Sequence, residues 1–281
     1  MIVAELSKQL RRWRTLVLVG LCVVIALVVA VFMAQSAHNH PGIRGPHNLD
    51  VSLTSSGLVI GIVALFFASH LLTPITFLVY YADPMASEAK WGSLRYLLVR
   101  PVSRSRVLGA KIVVSTLLAV ASLLAIPIVA SLVGIAFFGL HSVTSADIAA
   151  GHGGALLGRP ILSVLGTVWR FVVATGYVAL DSGALAGIAV LLSVVTENVL
   201  AAAATAAGVY VLSAIVEALP GNFVNTISPA LPTNDFDAWL YLFQPGTSLS
   251  GMTQGAITQV VWLVLTLGAA FVVFNRKDVK C

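Results

Sequence analysis

LVLVGLCVVIALVVAVFMA, residues 16–34, contains no charged side chain. An α-helix needs about 20 predominantly apolar residues to cross the roughly 30 Å hydrocarbon core of a bilayer. The stretch therefore predicts a transmembrane helix. It is also longer than the roughly 7 to 15 apolar residues at the centre of a signal peptide, so we interpret it as a retained first span and not as a cleaved signal.

The rest of the chain has the same apolar character. Of its 281 residues, 58% are hydrophobic and 10% are charged, whereas soluble domains carry about 25% charged residues. This composition excludes a soluble globular protein and predicts an all-α integral membrane protein, with residues 1–281 forming a single transmembrane domain. Five further apolar runs predict spans at about 55–81, 107–138, 169–195, 199–218 and 257–274.

An amphipathic stretch, residues 2–14, precedes the first span. It has apolar residues on one helical face and cations on the other, which predicts an interfacial helix whose basic face contacts lipid headgroups. A helix packed on other parts of the protein is the alternative. The apolar face consists of Ile2, Val3, Leu6, Leu10 and Trp13, and the basic face of Lys8, Arg11 and Arg12.

Cations are distributed unequally between the two predicted sides of the membrane. Arg44, Arg159 and Arg170 fall on one side, and all other lysines and arginines fall on the opposite side. Because short loops rich in Lys and Arg stay in the cytoplasm, both termini and the loop at 82–106 are predicted to be cytoplasmic, in the plasma membrane (the inner membrane of a bacterium). The basic charge then contacts anionic lipid, and no nucleic-acid partner is predicted.

EAKWGSLRYLLVRPVSRSRVLGAK, residues 88–111, is the most basic part of the chain. We predict a helix from about Glu88 to Val99, ended by Pro101, with Ser103 capping the next helix. Gly92 lies between a carboxylate one turn before it and Arg95 one turn after it, which would let another backbone approach between two charges. This pattern predicts a docking surface for a partner protein.

The alternative is that these cations only set the orientation of the chain in the membrane. We favour that alternative for Arg106 and Lys111, which would contact lipid phosphates. The predicted helix itself favours a partner, because its apolar side chains form a stripe on one face. Trp91, Leu94, Leu97 and Leu98 make up that stripe.

The motif E-x-x-x-G-S-L-x-x-L-L-x-x-P-x-S-R-x-x-x-x-x-x-K, from Glu88 to Lys111, resembles the signature between the second and third spans of type-2 ABC transporter permeases. Ser93 stands where threonine is commoner in that family. FNRKDV, residues 274–279, is similar to the family's C-terminal ending, and LLSVVTENVLAAAA, residues 191–204, resembles its short turn between the fourth and fifth spans.

The resemblance implies a permease subunit whose cytoplasmic coupling helix contacts a separate ATPase. Export is the expected direction, and import stays open. The chain has no G-x-x-x-x-G-K-[ST] motif, so ATP and Mg would be bound by that partner, and no cofactor or enzymatic activity is expected in this chain. A second permease copy is the other implied partner. The implied coupling residues are Glu88, Trp91, Gly92, Ser93, Leu94, Arg95, Leu97, Pro101 and Arg104.

Three residues within the spans are candidates for a translocation path. Asp181 is near the middle of the fourth span, where an ionised carboxylate costs at least about 2.5 kcal/mol; we favour a hydrogen bond between helices over substrate or proton handling. Pro74 leaves the carbonyl of His70 without its helical donor, and water or a neighbour must satisfy it. A kink needed for packing is the favoured interpretation of Pro74.

Small residues predict close helix contacts at Gly57-x-x-x-Gly61 and Gly183-x-x-x-Gly187. Neither catalytic residues nor a metal site are predicted, and the histidines of the loop at 35–50 are interpreted as solvated. Two other functions stay open: an ion-coupled secondary transporter that uses Asp181, and a membrane scaffold without transport. The apolar spans suit several substrate classes, so the sequence predicts no particular substrate.

Overall fold

The structure, a computed structural model, describes residues 2–39, 43–44, 49–51, 56–90, 103–144, 149–150, 160–219, 227–243 and 250–277. Within these residues, six helical spans are long and apolar enough to cross a membrane. This finding confirms the predicted fold class, an all-α multi-pass membrane protein.

Eight α-helices are labelled here in chain order, and a π-helical turn, Ala68–Leu72, joins the third to the fourth in one continuous span. Two short 3-10 turns, Ser228–Ala230 and Ala238–Phe243, precede the last helix. The helices are α1 Ile2–Leu10, α2 Trp13–Asn39, α3 Gly57–Phe67, α4 Thr73–Lys90, α5 Arg104–Phe138, α6 Val164–Thr196, α7 Val199–Ala218 and α8 Ser250–Arg276.

Short strands join the two long interhelical loops, where the sequence predicted only irregular polar structure. All pairings are antiparallel: β1 with β2, β2 with β4, and β3 with β5. The strands are β1 Ile43–Arg44, β2 Leu49–Val51, β3 Val143–Thr144, β4 Ala149–Ala150 and β5 Pro160–Leu162.

The start of α5 agrees with the predicted cap position at Ser103, whereas the second span is longer than predicted. Helix α4 continues to Lys90 and α5 begins at Arg104, so the second span extends well beyond its predicted end at residue 81. The reason is that Asp83 and Glu88 are buried against cations from other helices, which keeps a polar segment helical within the protein. Residues 91–102 lie outside the described part of the chain.

A stripe of small side chains attaches α2 to the bundle. The stripe repeats every four residues and is buried, whereas the other faces of α2 are largely exposed. Small side chains allow the close helix approach that holds membrane helices together. The stripe consists of Cys22, Ala26, Ala30 and Ala34, and it packs against α3, the π-helical turn and α5 through Ile60, Ala64, Ala68, Leu72, Ile126 and Ala130.

Helix α6 is the central helix of the bundle. It packs against α4, α7 and α8, and its residues 181–190 are all buried. Small residues there, including Ala184, Ala186 and Ala189, have no exposed surface. Asp181 therefore lies in the interior and does not face lipid.

Three of the four glycines in the predicted contact motifs lie at close contacts. A Cβ atom at Gly57 would stand 2.2 Å from the backbone nitrogen of Ile135, and Gly61 and Gly187 face side chains of other helices at similar separations. Gly183 has nothing within 4 Å of a Cβ position. The first motif is thus confirmed as a contact face, whereas the second is a contact face only at Gly187.

Gly57→Ala is expected to destabilise the protein by about 1–3 kcal/mol, because the added methyl group overlaps backbone that cannot rotate away. Gly183→Ala is the matched control in another helix, and we expect it to be neutral or slightly stabilising since alanine favours helix over glycine. Unfolding in mixed micelles measures both. Equal effects of the two substitutions would contradict the backbone contact at Gly57.

Candidate functional site

One end of the bundle collects cations of α1, α5 and α8, and we call it the basic end. It contains the end of α4 and the start of α5, which flank residues 91–102, together with the α6–α7 turn and the end of α8. All three sequence motifs that resemble the permease family have described residues at this end. Its geometry therefore bears directly on the predicted docking surface.

Glu88 is fully buried at the basic end and is bound by two lysines. Lys8 of α1 donates to one carboxylate oxygen, and the ammonium of Lys111 on α5 lies 2.8 Å from the other. Lys111 is itself buried and also contacts Glu5 of α1 at 3.2 Å. The interpretation of Lys111 as a cation in contact with lipid phosphate is therefore wrong, because it closes an ion-pair cluster inside the protein.

Asp83, less than two turns before Glu88 on α4, forms a second cluster with the N-terminal region. Its carboxylate accepts from Arg12 and Arg14, and Arg12 also donates to the Ser87 hydroxyl at 3.2 Å. The cations of α1 and of its junction with α2 thus bind α4. The predicted contact with headgroups is wrong for Arg12, whose side chain is mostly buried, whereas the side chains of Lys8 and Trp13 are exposed.

The other two sequence motifs meet at the start of α5. Arg104 donates to the backbone carbonyl of Lys277 at 2.6 Å, and the Lys277 ammonium lies 2.7 Å from Glu197 in the α6–α7 turn. Ser103 occupies the N-cap position of α5 in an extended conformation, but its side chain makes no capping hydrogen bond. The position of the predicted N-cap is therefore correct, but the capping hydrogen bond from the Ser103 side chain is not formed with the described residues.

Of the predicted coupling residues, Glu88 and Arg104 are described, and each contacts other helices at the basic end. The remaining ones lie outside the described residues, so the structure places only the two ends of this segment. They are Trp91, Gly92, Ser93, Leu94, Arg95, Leu97 and Pro101.

Residues 227–243 form a second polar region, which we call the inserted segment. Trp239 and Phe243 are buried in it, and backbone carbonyls of the segment accept hydrogen bonds from α6 and α8. The donors are Tyr177 to Asp235 at 2.9 Å, Arg170 to Leu242, Gln259 to Pro232 at 2.7 Å and Trp262 to Ala230 at 2.9 Å. Hydrogen bonds to its backbone thus attach the inserted segment to two spans.

Side chains of the inserted segment also contact α7 and the second span. The hydroxyl of Thr233 donates to Glu217 at 2.7 Å, and Asp237 lies 3.1 Å from Nε2 of His70. Burial raises the pKa of the Asp235 carboxyl, and the amide of Asn234, which donates to it at 2.7 Å, opposes that shift. Four spans therefore meet at this segment.

The polar notch predicted at Pro74 is present, and a neighbouring helix fills it. Tyr210 of α7 donates its hydroxyl proton to the carbonyl of His70, which is the carbonyl that Pro74 cannot satisfy. The preceding turn is π-helical, which is common where an inserted group disturbs helical hydrogen bonds. Pro74 thus supports a specific contact between the second and fifth spans.

Tyr210→Phe is expected to destabilise the protein by about 1–3 kcal/mol, because it leaves the buried carbonyl of His70 without a donor. The same substitution should cost less in a Pro74→Ala background, where the backbone of residue 74 regains an N–H group. A double-mutant cycle in mixed micelles measures the coupling. Additive effects would show that Tyr210 contributes through packing alone.

Asp181 is fully buried, and neither of its carboxylate oxygens has a hydrogen-bond partner among the described residues. The favoured interpretation from sequence, a hydrogen bond between helices, is therefore wrong for the part of the chain that the structure describes. Arg170, on the same helix, donates to the inserted segment instead. Among the described residues, Asp237 and Asp235 of the inserted segment are the carboxylates that interact electrostatically with Asp181.

Comparison with known proteins gives two matches. The Uncharacterized protein YhcI of Bacillus subtilis (strain 168) is 33% identical over 78 residues, which cover 28% of this chain. That match covers 25% of the relative, so the chain spans about a quarter of its length. Residues 20–279 match the family described as "Protein of unknown function (DUF2705)". Because this match includes nearly all six spans, the chain belongs to the DUF2705 family.

Proposed function

We propose that the chain is the permease subunit of an ATP-driven ABC transporter that works as an exporter. A separate nucleotide-binding subunit would bind ATP and Mg and hydrolyse ATP, and a second permease copy, identical or closely related, would complete the membrane part. In this proposal the basic end faces the cytoplasm, α1 lies at the surface of the bacterial inner membrane, and residues 91–102 contact the ATPase.

The buried ion pairs of Glu88 are the observation that supports this proposal most. A segment that transmits force from a partner must be attached firmly to the spans it moves. Glu88 stands three residues before that segment and is bound to α1 and α5 through Lys8 and Lys111. The segment's other end is bound to α8 through Arg104. A push on residues 91–102 would therefore reach four helices: α1, α4, α5 and α8.

The resemblance of three motifs to type-2 ABC permeases is the second support, and their contacts with one another strengthen it. Arg104 of the first motif binds the backbone of the C-terminal motif, whose Lys277 binds Glu197 of the turn motif. These residues are distant in sequence. Their meeting at one end of the bundle is what a shared coupling surface requires.

Co-purification with an ABC ATPase encoded beside this chain tests the proposal. Gly92→Trp, which leaves the Glu88 ion pairs intact, should reduce the bound ATPase by about tenfold or more, equivalent to at least about 1.4 kcal/mol. Glu88→Ala should reduce stimulation of ATP hydrolysis. Glu217→Gln, at the inserted segment, is the control that should change neither.

Two outcomes would overturn this function. If the wild-type chain does not bind or stimulate the ATPase, or if Gly92→Trp binds it as well as wild type does, the coupling role is wrong. Substrate transport by the reconstituted chain along an ion gradient without any ATPase would favour the alternative, an ion-coupled secondary transporter. The observation that supports this alternative is Asp181, which is buried without a hydrogen-bond partner among the described residues.

A further inference from the structure

Asp181 poses a physical problem that the proposed coupling role does not address. It is fully buried in the centre of α6 and both its oxygens lack a hydrogen-bond partner among the described residues. The hydroxyl of the adjacent Ser182 is also buried without a partner there. An ionised carboxylate in such surroundings is strongly disfavoured, because no described side chain or backbone group replaces its lost hydration. A bound cation or a bound proton removes that cost.

The neighbouring pair of His70 and Asp237 has a geometry that requires an extra proton. Nδ1 of His70 lies 2.9 Å from the carbonyl oxygen of Phe66, which only accepts, so Nδ1 carries hydrogen. Ser69 does not change this, since its own hydroxyl proton is donated to the same carbonyl at 2.7 Å. Nε2 then faces Asp237 at 3.1 Å. A proton must lie on Nε2 or on Asp237, because otherwise two acceptors would face each other.

The charged groups around this site are mainly acidic. The described residues of α8 that donate hydrogen bonds to the inserted segment, Thr258, Gln259 and Trp262, are uncharged. Arg170 is occupied by the carbonyl of Leu242. The ionisable groups contributed by the surrounding elements are Arg170, Tyr177 and Asp181 of α6, His70 of the second span, Tyr210 and Glu217 of α7, and Asp235 and Asp237 of the inserted segment.

We propose that Asp181 and the His70–Asp237 pair form a proton-binding site inside the bundle, beneath the inserted segment. The ligand is the proton itself, which is the one cation that needs no cavity. Asp181 binds one proton as a neutral carboxylic acid and releases it as H⁺ on becoming a carboxylate. The pair holds one further proton between Nε2 and Oδ1, and no other bond forms or breaks.

The proton also determines how firmly the inserted segment is held. Asp237 contacts the second span through His70, and loss of the shared proton converts that hydrogen bond into repulsion between two acceptors. The 3-10 turn that begins at Ala238 directly follows Asp237. Deprotonation of the pair should therefore loosen this end of the inserted segment from the second span.

Infrared spectroscopy of the full chain in lipid nanodiscs, without any ATPase, tests the site at Asp181. At neutral pH the wild-type protein should show the carbonyl band of a protonated carboxylic acid, and Asp181→Asn should reduce its intensity by one carboxyl group. Glu197→Gln is the matched control, because Glu197 is half-exposed and ion-paired with Lys277, and it should leave the band unchanged. A wild-type spectrum without the band, or a band of unchanged intensity in Asp181→Asn, would overturn the proposal.

Two further measurements keep the test decisive. If Asp181→Asn does not fold, carboxyl-13C labelling of aspartate in the wild-type chain should shift the band, and an unshifted band would exclude Asp181. For the pair, a pH jump from about 5 to about 10 passes through and well above the ordinary titration of histidine. It should release about one proton fewer from His70→Gln than from wild type, because the variant lacks the proton that Asp237 holds on the imidazole. Equal proton release would overturn the shared proton. Since no ATPase is present, these results do not depend on the proposed coupling role.

Discussion

Glu88→Ala should lower the free energy of unfolding by about 3–5 kcal/mol, the cost of removing one partner from a buried ion pair. The carboxylate has no exposed surface and two lysines bind it. Without it, Lys111 would be left buried with a single carboxylate partner, Glu5. The measurement is unfolding of the purified chain in mixed micelles. The same variant should also separate α1 from α4, which a fluorescence distance between the two helices would detect.

Two comparisons separate burial of the ion pair from charge alone. Glu197→Ala removes an ion pair at the same end whose carboxylate is half-exposed, and we expect it to cost at most about 1 kcal/mol. Lys111→Met should cost less in a Glu88→Met background than alone, since no buried carboxylate is then left unpaired. If Glu88→Ala and Glu197→Ala have equal effects, the buried cluster is not a structural anchor.

The number and class of the spans could be predicted from sequence because they depend only on apolar length. A run such as residues 16–34 must be buried in lipid or protein wherever its neighbours lie. The ends of the spans could not be predicted in the same way. From the sequence, Asp83 falls in the predicted loop and Glu88 at the start of a separate helix. Only their contacts with Arg12 and Lys111 from other helices explain why α4 continues to Lys90.

The polar contacts of the interior were predictable only in part. Pro74 identified the unsatisfied carbonyl of His70 from local geometry alone, although the donor, Tyr210, could not be named. Asp181 was recognised as costly from its depth in the span. The sequence did not predict that Asp181 interacts with Asp237, because contacts between distant segments depend on how the helices pack. The only related feature was that the segment after the fifth span contains acidic residues and no cation.

Trp239→Ala is expected to destabilise the protein by about 3–5 kcal/mol, the cost of replacing a fully buried aromatic side chain by a methyl group. Trp239 has no exposed surface, and its ring packs edge-on against Phe243 within the inserted segment. The large effect would show that this segment, although it lies between two spans in sequence, is part of the folded core. Unfolding in mixed micelles provides the measurement.

Tyr241→Ala provides the matched control for Trp239, because it removes an aromatic ring from the same 3-10 turn at a position that is 40% exposed. Its cost should be clearly smaller, since less apolar surface leaves the interior. Trp239→Phe should lie between the two, because it keeps a ring in the core and removes an indole N–H that has no partner among the described residues. If Trp239→Ala costs no more than Tyr241→Ala, the inserted segment is only loosely attached. The hydrogen bonds from Tyr177 and Gln259 would then not be enough to hold the inserted segment against the fourth and sixth spans.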